Sequence, residues 1–207
     1  TGGAQGIGRI ISEELASQGA HVILADINLE GAEKTAAEIR GGGGKASAVR
    51  IDVSSATDVQ GVFDSILKEY KPVDIVVNNA GIFTLGDSQE LPVSEWDRII
   101  GINLKGAFLT TRYSLPYMRK SKTGRIINIA SVHAFAGGGG PAYAPAKAGV
   151  VNLTRDTAVE VADDNITVNA VCPGYIETAI QDYLTSEQID QCLHQTCLLY
   201  TSPSPRD

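Results

Sequence analysis

The sequence predicts an α/β protein built on a doubly wound parallel sheet. Three observations carry this. Strand and helix signals alternate along the whole chain of 207 residues. The strands include continuous apolar runs such as IVV (75–77) and IINI (126–129), as expected where helices cover both faces of a sheet. A glycine-rich turn, TGGAQGIGR, opens the chain and runs into a helix, and the strand after that helix ends on an aspartate, Asp26. No internal repeat or linker divides the chain, and its length suits one domain.

The elements follow in order. After the helix behind the glycine turn, HVILAD (21–26) is an apolar run of strand length. Residues 28–40 have a helical pattern with Asn28 as N-cap, and Gly41 to Gly44 end it. SAVRIDV (47–53) reads as a strand. A helix over 55–69 starts at Ser55 and places Val59, Val62, Phe63, Ile66 and Leu67 on one face. VDIVVNNAG (73–81) is a strand entering a turn. One long helix is predicted over 94–119, opened by a Ser94–Asp97 capping pattern. RIINIAS (125–131) is a strand, 142–162 a helix, and ITVNAVCPG (166–174) a strand stopped by Pro173.

Composition narrows the function. Hydrophobic residues make up 43% and charged residues 20% of the chain, ordinary for a globular domain. A net charge of −7 argues against nucleic acid or an anionic membrane as partner. No apolar run approaches the ~20 residues of a membrane span. Cys172, Cys192 and Cys197 have no metal or redox spacing, so no metal site is expected. Such a sparse, odd set of cysteines fits a reducing compartment, and a cytoplasmic location is expected.

The glycine turn carries the first piece of chemistry. Gly2, Gly6 and Gly8 let the backbone approach a pyrophosphate, while the helix behind them aims its free N–H groups and dipole at the anion. Asp26, 18 positions after Gly8, is placed to accept both hydroxyls of an adenosine ribose. A dinucleotide satisfies this half of the chain, and so does a methyl donor with an adenosine moiety. The second half offers Ser131 at a strand end, with Tyr143 and Lys147 four apart on one helical face. An unperturbed tyrosine titrates near 10 and is a poor base at neutral pH; a neighbouring ammonium favours the phenolate. Such a trio moves a proton while a nicotinamide moves a hydride. Spacing alone also fits a plain surface Tyr and Lys.

The combination TGGAQGIG (1–8), NNAG (78–81), Asn103, Ser131, YAPAK (143–147) and PGYIET (173–178) resembles the short-chain dehydrogenase/reductase family, in its shorter single-domain branch. The motifs come in the family's order and cover residues 1 to about 190. The resemblance implies a Rossmann-type sheet, a nicotinamide cofactor and alcohol–carbonyl chemistry on a small molecule. It assigns Tyr143 as proton donor or acceptor, Lys147 as the group that lowers its pKa and holds the nicotinamide ribose, Ser131 as the substrate-oxygen ligand, and Asn103 as support for a water-linked proton relay. The cofactor would be bound by Gly2, Gly6, Ile7 and Gly8 at the glycine turn, by Asp26 at the ribose, and by Asp52 and Val53 at the adenine. Asn79, Ala80 and Gly81 would pack beside it; Pro173, Gly174, Ile176 and Thr178 would line the nicotinamide, with Tyr143 and Lys147. Asp26, with no Lys or Arg at Ala4, Gln5 or Ile27, favours NAD over NADP. The rivals are an NADP-dependent 3-oxoacyl-carrier-protein reductase, a catalytically silent dinucleotide-binding protein and, third, a methyl-donor-binding transferase. A homo-oligomer, by family habit a tetramer, is implied through the helices at 94–119 and 142–162.

The chain departs from the family in several places. Ser131 and Tyr143 are 12 apart, one fewer than in many members, and the Gly137–Gly140 loop absorbs the difference. Pro145 lies between Tyr143 and Lys147. Proline is cheap only in a first helical turn, so the helix is predicted to start at about Ala142 to Ala144. The family's first strand precedes Thr1 and its last strand and helix follow the substrate loop. We therefore expect a domain over 1–196 lacking the first and last strands, poorly folded and inactive as it stands. The segment CLLYTSPSPRD (197–207) matches one reading frame of a transposase-based sequencing adapter and is expected to be non-native. His133 suits either a substrate contact or a solvent-facing loop. Trp96 reads as packing, Cys172 as a small core residue, Tyr175 and Ile176 as substrate neighbours, and 180–193 as part of a mobile lid.

Overall fold

The alternation resolves into six α-helices and five strands in a computed structural model that describes residues 1–70, 73–84 and 86–178, together with positions 185, 187 and 189. The expected lid at 180–193, apart from those isolated positions, and the segment 197–207 lie outside the described residues, as do Cys192 and Cys197. The order is α1 (Gly6–Ser17), β1 (His21–Asp26), α2 (Leu29–Gly41), β2 (Lys45–Arg50), α3 (Ala56–Glu69), β3 (Ile75–Asn78), α4 (Val93–Ile100), α5 (Gly106–Ser121), β4 (Gly124–Ile129), α6 (Gly140–Glu160) and β5 (Ile166–Val171). A π-helical turn, Gly101–Lys105, joins α4 to α5.

All the strand pairs are parallel. β1 pairs with β2, with Asp26 opposite Arg50, and β3, β4 and β5 form a second group in that order. β1 and β3 do not pair, which leaves a gap between the two strand groups. An apolar slot of about 340 Å³ lies there, lined by Leu24, Val76 and Phe63 among others. Thr1 and Gly2 bridge its upper end: the Thr1 nitrogen donates to the Val77 carbonyl at 2.8 Å and the Gly2 nitrogen to the Ala25 carbonyl at 2.8 Å. The carboxyl ends of both strand groups therefore meet at the glycine turn.

The two groups pack differently. α2 lies on β1 and β2 through Ala32, Ala36, Ile39, Leu24 and Ala46, small residues that let helix and sheet approach closely. Under β3–β5 the core is larger, built from Val59, Val62, Phe63, Leu109, Leu115, Met118 and Ile126. The predicted apolar face of α3 is the buried one, although Ile66 and Leu67 only flank it. Asn28 and Ser55 cap α2 and α3, accepting from the Gly31 and Asp58 amides.

Several boundaries moved. β2 starts two residues before the predicted strand and ends at Arg50, because Asp52 is drawn into a turn by Ser54. The long helix over 94–119 is not continuous: the π-helical turn interrupts it at Gly101–Lys105. Its start is Val93, which puts Ser94 inside the first turn, and no side chain caps it, so the Ser94–Asp97 pattern does not form. α6 starts at Gly140, before the predicted Ala142 to Ala144. Gly140 has φ of +74°, a backbone state costly for any other residue, and Pro141 takes the first-turn position that proline tolerates. Pro145 therefore falls in the helix interior.

Candidate active site

A cleft of about 580 Å³ runs across the carboxyl ends of the strands. It is lined by Gly2, Gly6, Ile7, Asp26, Asp52, Val53, Asn79, Ala80, Gly81, Asn103, Ser131, Tyr143, Lys147, Pro173, Gly174, Ile176 and Thr178. These residues were singled out in the sequence; Ile51, Ser54, Ile82, Arg98 and Ile102, which also line the cleft, were not. Gly8 is placed behind the cleft: a Cβ there would stand 2.0 Å from the Gly2 carbonyl oxygen and 2.5 Å from Asn79 Nδ2. Its role is to let the first turn of α1 sit directly on the glycine loop.

Backbone groups build one end of the cleft. The start of α1 has no side-chain cap, in contrast to α2 and α3, so its first N–H groups face the cleft free for an anion. The Asp26 carboxylate is fixed by two amides, Ala4 N to Oδ2 at 3.0 Å and Asn28 N to Oδ1 at 2.9 Å. Asp52 Oδ1 accepts from the Ser54 amide at 2.9 Å and hydroxyl at 2.6 Å, and the Ser54 hydroxyl holds this carboxyl below its usual range. The NNAG turn is tied to the glycine turn: Asn79 Nδ2 donates to the Thr1 and Gly2 carbonyls at 3.0 and 3.2 Å, and Thr1 Oγ1 accepts from the Asn79 and Ala80 amides. An uncapped helix N-terminus, a carboxylate fixed by two amides and a glycine floor fit a dinucleotide diphosphate and its adenosine.

Side chains build the other end. Ser131 lies two residues past β4 and opens a short 3₁₀ turn, its Oγ accepting from the His133 amide at 3.2 Å. Burial pushes the Tyr143 phenol up, and the Ser131 hydroxyl beside it opposes this only in part. Lys147 is buried, with Nζ 5.5 Å from the Tyr143 ring centroid, and it donates to the Ile129 carbonyl at 2.7 Å. Burial lowers its ammonium to about 8. Lys147 is not among the groups that lower the Tyr143 pKa, contrary to expectation. Desolvation dominates the phenol, and the ammonium is turned toward a carbonyl.

Asn103 sits in the π-helical turn, 2% exposed. Its Nδ2 donates to the Ile82 and Ile99 carbonyls at 2.9 and 3.0 Å, and its Oδ1 accepts from the Ile82 amide. The side chain thus fastens the strand-exit segment to the helix. A π-helical turn at such a position is a common mark of a functional site.

The sequence reading missed the surround of Tyr143. Phe83 packs edge-on against the Tyr143 ring at 5.0 Å. Thr84 Oγ1 donates to Glu95 Oε1 at 2.6 Å, and Arg98 grips the same carboxylate at 2.6 and 2.8 Å. Arg98, then Thr84, hold the Glu95 carboxyl at about 2. Trp96 is more than a packing residue: its indole Nε1 donates to the Pro141 carbonyl at 3.3 Å. No local pattern announces the Phe83–Tyr143 and Trp96–Pro141 links, since each joins segments far apart in sequence; only the Glu95–Arg98 pair, three residues apart on one helix, is local. His133 is fixed through Nδ1 to the Gly137 carbonyl at 3.1 Å, with its ring 6.4 Å from that of Tyr143. Cys172 packs beside the cluster around Ala107 and Val150, as expected of a small core residue.

A parallel α/β sheet with a diphosphate-ready turn at one end of its cleft and Ser, Tyr and Lys at the other defines a dinucleotide-dependent oxidoreductase. The chain belongs to the short-chain dehydrogenase family, whose profile matches residues 1–189. It is 41% identical to a cyclopentanol dehydrogenase of Comamonas sp., across 100% of this chain and 84% of that protein. It is 37% identical to the 3-oxoacyl-[acyl-carrier-protein] reductase FabG of Thermotoga maritima, across 93% and 79%. It is 39% identical to the D-beta-hydroxybutyrate dehydrogenase of Cupriavidus necator, across 87% and 70%. The family uses a nicotinamide dinucleotide, and the protein is an oxidoreductase of a small alcohol or its carbonyl counterpart. Among the described residues no helix is long and apolar enough to cross a membrane, and no group of metal-binding side chains occurs.

Proposed function

We propose that the protein interconverts a secondary alcohol and its ketone with NAD, using Tyr143 as general acid–base. The observation that supports this best is the gathering of Ser131, Tyr143 and Lys147 around one end of a cleft whose other end holds Asp26. The nicotinamide, when bound, accepts or returns the hydride of the carbinol carbon. In the oxidising direction the alcohol O–H proton passes to the Tyr143 oxygen, and in the reducing direction Tyr143 returns it to the carbonyl oxygen. Ser131 orients that oxygen. Lys147 holds the nicotinamide ribose and, once drawn off the Ile129 carbonyl, favours the phenolate. Asn103 supports the water-linked relay behind Lys147.

The preference for NAD rests on Asp26. A 2′-phosphate would lie against its carboxylate, and two like charges near 4 Å repel by ~4 kcal/mol at an effective dielectric of 20, less once solvent screens them. The one arginine lining the cleft among the described residues, Arg98, is already engaged by Glu95. The test is kcat/KM of the full-length enzyme with NAD and NADP on cyclopentanol, 3-hydroxybutyrate and a 3-oxoacyl thioester, the last in the reducing direction. At least a hundredfold preference for NAD is expected, narrowed in Asp26→Ala. An equal or better rate with NADP, above all on the thioester, would replace this reading with that of an NADP-dependent 3-oxoacyl reductase.

A further inference from the structure

The helix that carries Tyr143 has a defect one turn wide. In an α-helix the carbonyl of residue 141 accepts from the N–H of residue 145. Residue 145 is proline and has no N–H, so this bond of α6 (Gly140–Glu160) cannot form. Nor does any side chain cap the start of α6. Tyr143 lies between the two prolines, in the turn left short of a backbone bond. The Trp96 indole fills the gap, with Nε1 donating to the Pro141 carbonyl at 3.3 Å. The neighbouring residue of α4, Glu95, takes the Thr84 hydroxyl at 2.6 Å, and the residue before Thr84 is Phe83, packed against the Tyr143 ring. Two successive residues of α4 thus hold the two segments that bear on Tyr143.

We infer that Trp96 is a positioning residue for Tyr143: through the Pro141 carbonyl it supplies from α4 the hydrogen bond that Pro145 removes from α6, and so fixes the tyrosine in line with Ser131. Trp96 touches neither the cleft nor the reacting atoms. Its effect passes through the first turn of α6, where a misplacement near 1 Å is enough to slow a proton transfer severely. The inference rests on the acid–base role proposed for Tyr143, so its test needs one readout that ignores chemistry.

The test is a double-mutant cycle. Trp96→Phe keeps an aromatic ring and loses the donor; Pro145→Ala restores a backbone N–H aimed at the Pro141 carbonyl. Amide hydrogen exchange at Tyr143, Ala144 and Ala146 is the first readout. Trp96→Phe is expected to speed it by about fivefold, the worth of one hydrogen bond, and to change it less than twofold when Pro145→Ala is also present. The second readout is turnover of cyclopentanol with NAD. Trp96→Phe is expected to lower kcat by about tenfold, with KM for NAD within twofold of the parent, and Pro145→Ala to restore most of that loss. Exchange that is unchanged in Trp96→Phe, or equally faster with and without Pro145→Ala, overturns the inference whatever the protein's substrate. Exchange that follows the cycle while kcat does not shows a clamp that leaves Tyr143 where it was, and overturns the positioning role alone. If no variant turns over cyclopentanol, the exchange cycle still decides whether Trp96 stands in for the missing bond.

Discussion

The Asp26 end of the cleft is built from backbone, whereas the Tyr143 end is built from side chains. At the first, the carboxylate rests on the Ala4 and Asn28 amides, the start of α1 is left uncapped, and the helix above packs through alanines. At the second, a buried polar network runs beneath the site. Asn78 Nδ2 donates to Asn128 Oδ1 at 2.8 Å and to Thr111 at 3.2 Å, Thr110 donates to Asn78 Oδ1, and Asn128 Nδ2 donates to Thr154 at 2.8 Å. This network ties β3 and β4 to α5 and α6. A surface made of amides constrains sequence mainly where a side chain would intrude. A surface made of packed polar side chains is sensitive at each member, because every donor or acceptor that loses its partner stays buried.

The largest effect that sharpens this contrast is at Tyr143. Tyr143→Phe keeps the ring against Phe83 and removes the transferring oxygen, so kcat is expected to fall by at least ~10²-fold. NAD binding is expected to survive, because the glycine turn, Asp26 and Lys147 are untouched. If more than about a tenth of the parent rate remains, less than ~1.4 kcal/mol of barrier lowering was lost and Tyr143 is not the acid–base group. The pH dependence has a definite sign. If Tyr143 is the acid–base group, oxidation needs its phenolate and rises with pH, whereas reduction needs the phenol and falls as pH passes its pKa. Burial keeps the phenol above its ordinary value in the free protein. Absorbance titration of the NAD-free protein is therefore expected to place Tyr143 higher than the kinetic profile does, the difference reporting Lys147 once NAD is bound.

Lys147→Met tests whether this end trades stability for function. Burial lowers the Lys147 ammonium from 10.5 to about 8, a difference worth about 3 kcal/mol. The folded state disfavours the charged form, so the penalty is complete below pH 8 and fades as pH rises toward 10.5. Removing the ammonium relieves it, less roughly 1 kcal/mol for the Ile129 carbonyl left without its donor. The variant is expected to melt higher than the parent at pH 7, with the gap shrinking by pH 10, while both turnover and NAD affinity fall. A lower melting temperature at pH 7 would mean that Lys147 is structural in the free protein.

Asn128→Ala reaches the network itself. Asn128 is 1% exposed, and its loss removes the shortest bond of Asn78 Nδ2 and the donor to Thr154, leaving Asn78 with Thr111 and Ala107 and Thr154 with the Val150 carbonyl. A destabilisation of roughly 2–3 kcal/mol is expected in urea unfolding, from lost bonds and a small cavity. A change under 1 kcal/mol would show the network to be slack and the contrast between the two ends overstated.

The same contrast explains what could be read from the chain. The backbone end announces itself locally, since glycines at 2, 6 and 8 and an aspartate ending the next strand are a pattern in one short stretch. Strands with two covered faces are continuous apolar runs, so the sheet was legible too. Ser131, Tyr143 and Lys147 became meaningful only through the family resemblance, because spacing alone fits a surface helix. The start of α6 was misjudged because Pro145 was assigned the cheap first turn. A donor 45 residues upstream, Trp96, makes an interior position tolerable instead. The π-helical turn at Asn103 likewise left no trace in apolar periodicity, and the bonds of Asn103 to Ile82 join segments 21 residues apart.

The smallest expected effect comes from Asn28, at the backbone end. Its side chain caps α2 by accepting from the Gly31 amide at 3.1 Å, while its own backbone amide holds Asp26 Oδ1 at 2.9 Å. Asn28→Ala removes the first function and leaves the second. Loss of a cap costs about 1 kcal/mol, so the melting temperature is expected to drop by a few degrees. The ratio of kcat/KM for NAD over NADP is expected to stay within about twofold of the parent, because the amide that orients the carboxylate is still in place. The two outcomes separate stability from recognition at a single residue. A large change in cofactor preference with an unchanged melting temperature would place the control of Asp26 in the Asn28 side chain, and the description of this end as backbone-built would then be wrong.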